Sequence, residues 1–283
     1  MTIMQHSRSK VIIIGAGPGD PELLTVKAVR WLQKADVVLT DRLVSAEILE
    51  TFVRPQALII PVGKQCGSGA STAQCTINQL MVDYAEQGRL VIRLKGGDVS
   101  VFSNVLDELK TLRQNGIAYE IVPGVTSALG AAAYSGIPLT ARDHARAVRF
   151  LTYYKSDLLS DDYWKELAAT DDTLVFYMSV DTLPLLVQQL TGHGIDREKK
   201  LAVIEQATTP NQRVTVSSLY EYEKNFGNHN LASPSLLIIG KVAGLHEELK
   251  WLRNDNSNDA YFEPLVSTGF RPTEREIEKL LTA

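Results

Sequence analysis

The stretch VIIIGAGPGDPELLT, residues 11–25, joins a β-branched run to a glycine-rich loop. Its first four residues are apolar and β-branched, which predicts a buried strand. Alternating glycines at Gly15, Gly17 and Gly19 give the backbone access to positive φ and allow close approach by a ligand, so they predict a tight loop. From Pro21 to Ala35 apolar residues recur at helical spacing, and we expect a helix there. Strand, loop and helix in this order predict an α/β fold with a parallel sheet.

The alternation of strands and helices continues along the chain and predicts two α/β domains. Further strands of a mainly parallel first sheet are predicted at residues 37–39, 58–60, 90–94 and 119–122, with helices at 72–87 and 105–114 and an alanine-rich helix ending at Tyr134. A second set of strands is predicted at 147–152, 173–177, 201–205 and 236–239, and an antiparallel strand at 214–216 would make that sheet mixed. The segment GIPLT at 136–140 marks the boundary. The predicted domains are residues 1–140 and 141–249, followed by a polar tail, 250–283, with a short helix at 273–281.

The composition is that of a globular protein without a disulfide framework. The chain has 283 residues, of which 45% are hydrophobic and 22% charged, and this excludes disorder over most of its length. The formal net charge of −4 argues against a general nucleic-acid binder but leaves room for a local basic pocket. Two cysteines, Cys66 and Cys75, and histidines without metal-ligand spacing predict no structural metal site. No apolar run has the length of a signal-peptide core or a transmembrane helix, so we expect a cytoplasmic protein with no membrane or nucleic-acid partner.

Four loops rich in glycine or proline punctuate the predicted elements. They are GAGPG from Gly15, KGGD from Lys95, VPGVTSA from Val122 and GIPLT from Gly136. In an open parallel sheet, loops at the carboxyl ends of the strands line one crevice. The first loop has GxGxG rather than GxGxxG spacing, so the dinucleotide-binding fingerprint does not fit. Each loop alone is compatible with an ordinary turn, but the set favours a ligand-binding cleft.

These motifs, taken in order, resemble those of the tetrapyrrole methyltransferases. The resemblance rests on GAGPGDPELLT (15–25), ADVV (35–38), DRLVS (41–45), VGK (62–64), RLKGGD (93–98), VPGVTSA (122–128) and GIPLT (136–140). It extends over roughly residues 10–245 and is strongest toward the uroporphyrinogen-III C-methyltransferases. It implies two α/β domains that hold S-adenosylmethionine (SAM) in the cleft between them, usually in a homodimer.

The resemblance also implies a reaction. Methyl groups would be transferred from SAM to carbons 2 and 7 of uroporphyrinogen III, giving precorrin-2 at the branch point toward sirohaem and cobalamin. The methyl group of SAM is already activated, so no metal is required. The reaction then depends mainly on holding the pyrrole carbon and the methyl group in line.

Individual residues receive roles from the resemblance. The expected cofactor-binding residues are Pro18, Gly96, Gly97, Asp98, Val101, Thr126, Ser127, Met178 and Ala207. Asp41 corresponds to the proton acceptor and Lys64 to the proton donor, and the residues expected to contact the tetrapyrrole are Arg42, Asn104, Arg142 and Arg146. Without the resemblance, Asp41 is equally well read as a helix N-cap or turn residue, and Lys64 as a solvated lysine. Arg149 and Lys155 add to a basic region suited to the substrate's carboxylates, although charge spacing alone favours a solvated face.

Several positions depart from the family pattern on the tetrapyrrole side. Asn104 stands where an arginine is expected to pair with a substrate carboxylate. Ser103, Val105 and Leu106 replace glycines, and the valine and leucine are expected to add bulk and remove φ freedom. The other departures include Ala141, Tyr153 and Ala207. Three hypotheses follow: a divergent uroporphyrinogen-III methyltransferase, which we favour; a paralogue that methylates another substrate; and a catalytically silent SAM- or tetrapyrrole-binding protein. Turnover separates the first two from the third, and substrate identity separates the first from the second.

Overall fold

Two five-stranded sheets form the frame of the protein, in a computed structural model that describes residues 10–63, 72–155, 157, 159–227, 231–254 and 259–262. The first sheet consists of β1 (Lys10–Gly15), β2 (Val37–Thr40), β3 (Leu58–Pro61), β4 (Leu90–Lys95) and β5 (Ala118–Val122). Its spatial order is β3-β2-β4-β1-β5, and every neighbouring pair is parallel. The carboxyl ends of all its strands therefore lie along one edge, where the predicted glycine loops begin.

Helices cover both faces of the first sheet. They are α1 (Val26–Leu32), α2 (Ala46–Phe52), α3 (Gln74–Glu86) and α4 (Val105–Gln114), and α5 (Ser127–Ser135) follows β5. Successive side chains of a strand point to opposite faces, so the run 11–14 supplies both cores. Ile12 and Ile14 pack with α1 and α2, whereas Val11 and Ile13 pack with α3 and α4. All four side chains are fully buried, which explains the continuous apolar run.

The helix predicted from Pro21 to Ala35 is shorter than expected and begins later. Residues Pro21–Leu23 form a single 3₁₀ turn, and α1 starts only at Val26. Thr25 is extended, with φ −70° and ψ 146°, and its side chain accepts a hydrogen bond from the N–H of Ala28 at 3.1 Å. A threonine in this conformation is an N-cap, so it starts a new helix rather than continuing the preceding turn.

The second sheet is mixed, as predicted. It consists of β6 (Val148–Thr152), β7 (Thr173–Tyr177), β8 (Lys200–Glu205), β9 (Arg213–Ser218) and β10 (Ser235–Gly240), in the order β6-β7-β10-β8-β9. Strands β6 and β7 are parallel, and β9 is antiparallel to β8. The central strand β10 is also antiparallel to both its neighbours, which the apolar pattern of its residues did not indicate. The helices of this half are α6 (Asp161–Ala169), α7 (Leu183–Gly192), α8 (Tyr222–Phe226) and α9 (His246–Leu249).

Helix α5 connects the two sheets. It follows β5 of the first sheet, but its residues Ala128 and Ala131 pack in one cluster with Val175 and Ile238 of the second. Tyr177, at the carboxyl end of β7, reaches Thr126 immediately before α5. The carboxyl ends of β5 and β7 therefore lie close together, where the resemblance places the cleft. The domain limits at residues 140 and 249 remain predictions.

Two further observations apply to the described ranges only. No helix there is long and apolar enough to cross a membrane. The same residues contain no group of three or more histidine, cysteine, aspartate or glutamate side chains that could hold a metal ion.

Candidate active site

Three glycine loops pack backbone against backbone where β1, β4 and β5 end. Gly17 and Gly97 exchange hydrogen bonds, with the N–H of Gly17 donating at 3.1 Å and that of Gly97 at 2.7 Å. A Cβ atom on Gly15 would lie 2.6 Å from the carbonyl oxygen of Gly97, and one on Gly124 would lie 2.7 Å from the carbonyl oxygen of Gly15. Real Cβ atoms do not come this close to backbone, so Gly15 and Gly124 must be glycine for the loops to meet.

The predicted cofactor residues Gly96, Gly97 and Asp98 form the loop after β4. The carboxylate of Asp98 accepts hydrogen bonds from the N–H groups of Gly124 at 2.9 Å and Ser100 at 2.8 Å. Burial alone would raise the pKa of Asp98, but the bonds from the Ser100 side chain and from these N–H groups hold the pKa below its ordinary value. Asp98 is therefore ionised at neutral pH and fixes the loop after β4 to the loop after β5.

Pro18, Thr126 and Ser127 line the other side of these loops. Pro18 is buried against α5, where a Cβ on Gly130 would lie 2.5 Å from its Cγ. Thr126 shares a 2.7 Å hydrogen bond with the hydroxyl of Tyr177, which also accepts from the N–H of Ala128 at 3.1 Å. Burial raises the pKa of Tyr177. Ser127 begins α5, and its Oγ lies 3.6 Å from the Cβ position of Gly97, so the structure brings these predicted residues together.

Met178 and Val101 extend the same cleft toward the second sheet. Met178 directly follows β7, has a φ of 52° and is 51% exposed, and its sulfur accepts from the Tyr154 hydroxyl at 3.4 Å. Val101 is half-buried against the second sheet, and the neighbouring Phe102 ring lies 5.0 Å from that of Tyr177. A large exposed methionine held in a strained backbone conformation is typical of a ligand-binding surface.

Ala207 lies in the loop after β8, against the first glycine loop. A Cβ on Gly19 would lie 3.2 Å from the carbonyl oxygen of Ala207, and the N–H of Asp20 donates to the Thr208 hydroxyl at 3.1 Å. Non-glycine residues with positive φ occur repeatedly around the cleft, at Phe102, Asn104, Asp143, Met178, Gln206 and Thr208. Such residues concentrate at functional sites, yet their side chains give no sequence signal of the conformation.

Asp41 belongs to a buried charged cluster beneath the cleft, hereafter the quartet, with Arg93, Lys95 and Glu108. The guanidinium of Arg93 donates to Asp41 at 2.5 Å and to Glu108 at 2.9 Å, and Lys95 donates to Glu108 at 3.0 Å. The Asp41 side chain is 28% exposed, whereas that of Arg93 is 3% exposed. Asp41 is not an N-cap, because Ser45 caps α2. One carboxylate edge is thus held from below while the side chain still reaches solvent.

The quartet was missed by sequence reasoning, although a signal existed. Arg93 and Lys95 flank Leu94 in a central parallel strand, where continuous apolar residues are the rule. Burial alone would lower the pKa of Arg93, but the charges of Asp41 and Glu108 raise it above its ordinary value. Burial and the nearby Arg93 charge lower the pKa of Lys95. Two cations at alternating positions of a buried strand require buried anions, and these are the partners that the structure shows.

The cations predicted to bind substrate differ in their surroundings. Arg42 is half-buried, burial lowers its pKa, and its Nε atom has no hydrogen-bond partner among the described residues. Arg142 and Arg146 are exposed, and the carbonyl oxygen of Arg142 is bonded by His144 at 2.9 Å. Lys64, the predicted proton donor, lies outside the described residues.

Arg149 was expected to add to this basic region, and the structure contradicts that. Its guanidinium donates to Glu166 and Asp172, at 2.6 Å in each case. Arg149 is the second residue of β6 and pairs with Leu174, the second residue of β7. It therefore lies at the amino-terminal ends of these two strands, whereas Tyr177 and Met178 lie at the carboxyl end of β7. The spacing of charges along the sequence did not predict that Arg149 pairs with Glu166 and Asp172 at the ends of the strands remote from the cleft.

Asn104 occupies the N-cap position of α4 at the rim of the site. It is exposed, has a φ of 56°, and its amide donates to Gln74 at 3.4 Å. The loss of φ freedom expected at Val105 and Leu106 has no consequence for this loop, because both residues lie in the first turn of α4, where ordinary helical φ is required. The left-handed positions near this turn are Phe102 and Asn104, and asparagine tolerates that conformation better than most residues.

Known proteins are similar in sequence to this chain over most of its length. A model of the tetrapyrrole (corrin/porphyrin) methylases matches residues 10–223. The chain is 47% identical over 242 residues to a siroheme synthase of Stutzerimonas stutzeri (strain A1501), with 86% of this chain and 52% of that protein covered. It is 45% identical over 252 residues to a siroheme synthase of Pseudomonas fluorescens (strain SBW25), with 89% and 54% covered. The chain thus spans about half the length of the curated relatives it matches.

Solved structures share the fold. Uroporphyrin-III-C-methyltransferase from Thermus thermophilus matches with a TM-score of 0.71 at 36% identity, covering 88% of this chain and 99% of that one. A uroporphyrin-III C-methyltransferase from the same organism, complexed with S-adenosylhomocysteine, matches with a TM-score of 0.68 at 34% identity, covering 82% and 92%. The packed glycine loops, the match over residues 10–223 and these relatives lead to one conclusion: this chain belongs to the tetrapyrrole (corrin/porphyrin) methylase family.

Proposed function

We propose that this protein is a SAM-dependent methyltransferase that methylates uroporphyrinogen III at carbons 2 and 7 to give precorrin-2. The observation that carries the proposal is the placement of Asp41 beside the packed glycine loops. The N–H of Asp41 donates to the carbonyl oxygen of Leu94 at 3.0 Å, and Leu43 lies against Gly96. A polar, ionisable group thus adjoins loops whose backbone is open to a ligand, in a fold shared with methyltransferases.

The residues present fit SAM. Gly97 has a φ of 68°, and among the described residues only Ser127 has atoms within 4 Å of a Cβ placed there, so this backbone leaves room for a ligand. Pro18, Met178 and Ala207 are proposed to add apolar surface around that space. When bound, SAM supplies an activated methyl group that forms the new carbon–carbon bond as its carbon–sulfur bond breaks. The protein's own contribution is to hold the methyl group of SAM and the acceptor carbon of the tetrapyrrole in line.

Asp41 is proposed to accept the proton that leaves the macrocycle after methyl transfer. Arg93 holds one of its carboxylate oxygens, which fixes its direction and leaves the remaining acceptor sites for the substrate side. Lys64 is proposed as the proton donor. Arg42, Arg142 and Arg146 are proposed to bind substrate carboxylates, since guanidinium groups pair with carboxylates through two parallel hydrogen bonds.

A paralogue acting on another tetrapyrrole is the second candidate. It is favoured by one observation: Asn104 and Gln74 form a neutral pair at the rim where the resemblance places a substrate-binding arginine. A neutral rim suits a substrate with fewer carboxylates at that position. The first and second candidates share the cofactor site and differ only in the molecule that accepts the methyl group.

We also propose that the protein works as a homodimer in the cytoplasm. Leu129 and Leu249 are 54% and 46% exposed beside an open apolar groove of about 520 Å³ that α5 and residues 136–140 line. Trp251, whose indole N–H donates to the carbonyl oxygen of Ala133 at 2.9 Å, is 62% exposed. Exposed apolar surface of this kind is typical of subunit contacts. Light scattering at several concentrations tests the dimer, and Leu129→Glu should then yield a monomer.

The function is tested by mass spectrometry of the products formed from uroporphyrinogen III and SAM. A product carrying two added methyl groups supports the first candidate. Turnover of another tetrapyrrole alone supports the paralogue. Binding of S-adenosylhomocysteine without turnover of any tetrapyrrole supports a silent binding protein, and folded protein that binds neither ligand contradicts all three.

A further inference from the structure

Residues 259–262, hereafter the strap, pack against the loop that follows β8. Gln206, the first residue of that loop, donates from Nε2 to the carbonyl oxygen of Asp259 at 3.0 Å, and its Oε1 accepts from the N–H of Tyr261 at 2.6 Å. Asn211 donates to the same Asp259 carbonyl at 3.1 Å. Phe262, at the end of the strap, is only 4% exposed. One glutamine side chain thus binds a backbone acceptor and a backbone donor of the strap, as a neighbouring strand would.

Gln206 uses all its polar atoms for structure. Its N–H donates to the carbonyl oxygen of Pro234 at 2.8 Å, and its own carbonyl oxygen accepts from the N–H of Thr209 at 3.2 Å. It is 3% exposed and has a φ of 48°. A non-glycine residue in this region of φ is disfavoured unless its surroundings hold it there. The two strap bonds are among the contacts that hold it.

The opposite side of the same loop meets the first glycine loop. A Cβ on Gly19 would lie 2.7 Å from the Thr209 methyl carbon and 3.1 Å from the Thr208 hydroxyl. The N–H of Thr208 also donates to the Gln212 side chain at 2.8 Å. Ala207 therefore stands between the strap-bound Gln206 and a glycine loop that is packed closely against Thr208 and Thr209. Its position depends on both sides of the loop.

We propose that the strap is a positioning element of the cofactor site: through Gln206 it fixes the wall that Ala207 forms. Releasing the strap weakens binding of the cofactor and leaves the chemical step unchanged. This inference rests on the proposed SAM site. Gln206 is a positioning residue and not a catalytic one, because its side chain is turned to the strap.

The test releases the strap from each side in the full-length protein. Gln206→Ala removes both side-chain bonds, and Tyr261→Pro removes the N–H that Oε1 accepts. Each variant should raise the dissociation constant for S-adenosylhomocysteine and the KM for SAM about tenfold, with kcat within about twofold of wild type. The double variant should bind no more weakly than Gln206→Ala alone, because both changes remove the same contact.

The control is Tyr220→Phe, which removes a 2.7 Å hydrogen bond to the carbonyl oxygen of Ile195 at the other end of β8. It should leave the affinity unchanged. Asn211→Ala, which removes one strap bond near the surface, should raise the dissociation constant about threefold and serves if either main variant does not fold.

The outcomes distinguish failure of the proposed function from failure of the strap's role. Wild-type protein that binds no S-adenosylhomocysteine contradicts the proposed function and the strap's role together. If the wild-type protein binds S-adenosylhomocysteine, and Gln206→Ala and Tyr261→Pro bind it with wild-type affinity, the strap's role alone is contradicted. A fall in kcat that matches the rise in KM also overturns it, since Gln206 would then act on the chemical step.

Discussion

Gly97→Ala is expected to weaken binding of S-adenosylhomocysteine while the protein stays folded. A Cβ atom at this position would lie 3.6 Å from Oγ and 3.9 Å from N of Ser127. Both are ordinary van der Waals distances, so the methyl group fits the ligand-free protein. It occupies, however, the space beside the glycine loops in which we propose that the cofactor lies.

Two costs must be separated to give the expected magnitude. An alanine at φ 68° is strained by about 1–2 kcal/mol relative to glycine, but this cost applies to the free and the bound protein alike. The cost to binding comes from crowding by one methyl group, which in a close-packed contact is about 1–3 kcal/mol. The dissociation constant should therefore rise by about 5- to 150-fold.

Gly116→Ala is the matched control. Gly116 follows α4 with a φ of 66°, and no atom of the described residues lies within 4 Å of its Cβ position. Calorimetry with S-adenosylhomocysteine should show a loss of affinity only in Gly97→Ala, while thermal melting shows a similar loss of stability in both. Wild-type affinity in Gly97→Ala would refute the proposed position of the cofactor. An equal loss of affinity in both variants would mean that the effect comes from reduced stability and not from crowding of the cofactor.

Three further changes test other parts of the molecule. Asp41→Asn should lower turnover by about 10²–10⁴-fold with little change in S-adenosylhomocysteine affinity, because the amide cannot accept the proton; wild-type rates would leave Asp41 as a structural partner only. Asn104→Arg should improve uroporphyrinogen III binding, measured by initial rates at low substrate, by about ten- to a hundredfold; slower turnover would mean that the rim is built around asparagine. The pKa of Glu120 is lowered to about 2, mainly by hydrogen bonds from Lys10 and Lys27, so its stabilising effect is complete above its unfolded value of 4.5 and is lost as the pH falls toward 2. Melting temperatures of Glu120→Gln should depend less on pH in that window, and equal slopes would contradict this.

The fold was largely predictable because burial leaves a regular pattern along the chain. The run 11–14 predicted a buried strand, and the spacing from Val105 to Gln114 predicted α4 with the bounds that the structure shows. Strand direction in the second sheet was less accessible. The residues of β10 are apolar in either orientation, so the pattern could not show that this central strand is antiparallel.

The site was predictable only where the chain itself carries the constraint. Glycines that must meet backbone to backbone, such as Gly15 and Gly124, appear directly in the sequence. The contact between Gln206 and Asp259 joins residues 53 positions apart and depends on tertiary structure alone. The charge of Arg149 is likewise evident from the sequence, but its partners, Glu166 and Asp172, are determined by the tertiary structure.

The quartet of Asp41, Arg93, Lys95 and Glu108 carries two formal charges of each sign, and loss of Arg93, Lys95 or Glu108 alone would leave an unbalanced charge in the interior. Replacement of one of these three buried members is expected to be tolerated only when another changes with it, so substitutions there are strongly epistatic. Asn104 is exposed at the rim and uncharged, so its replacement leaves no unbalanced charge in the interior. In descent from a common ancestor, the rim around Asn104 is therefore expected to diversify while the charged base below it is inherited as a block.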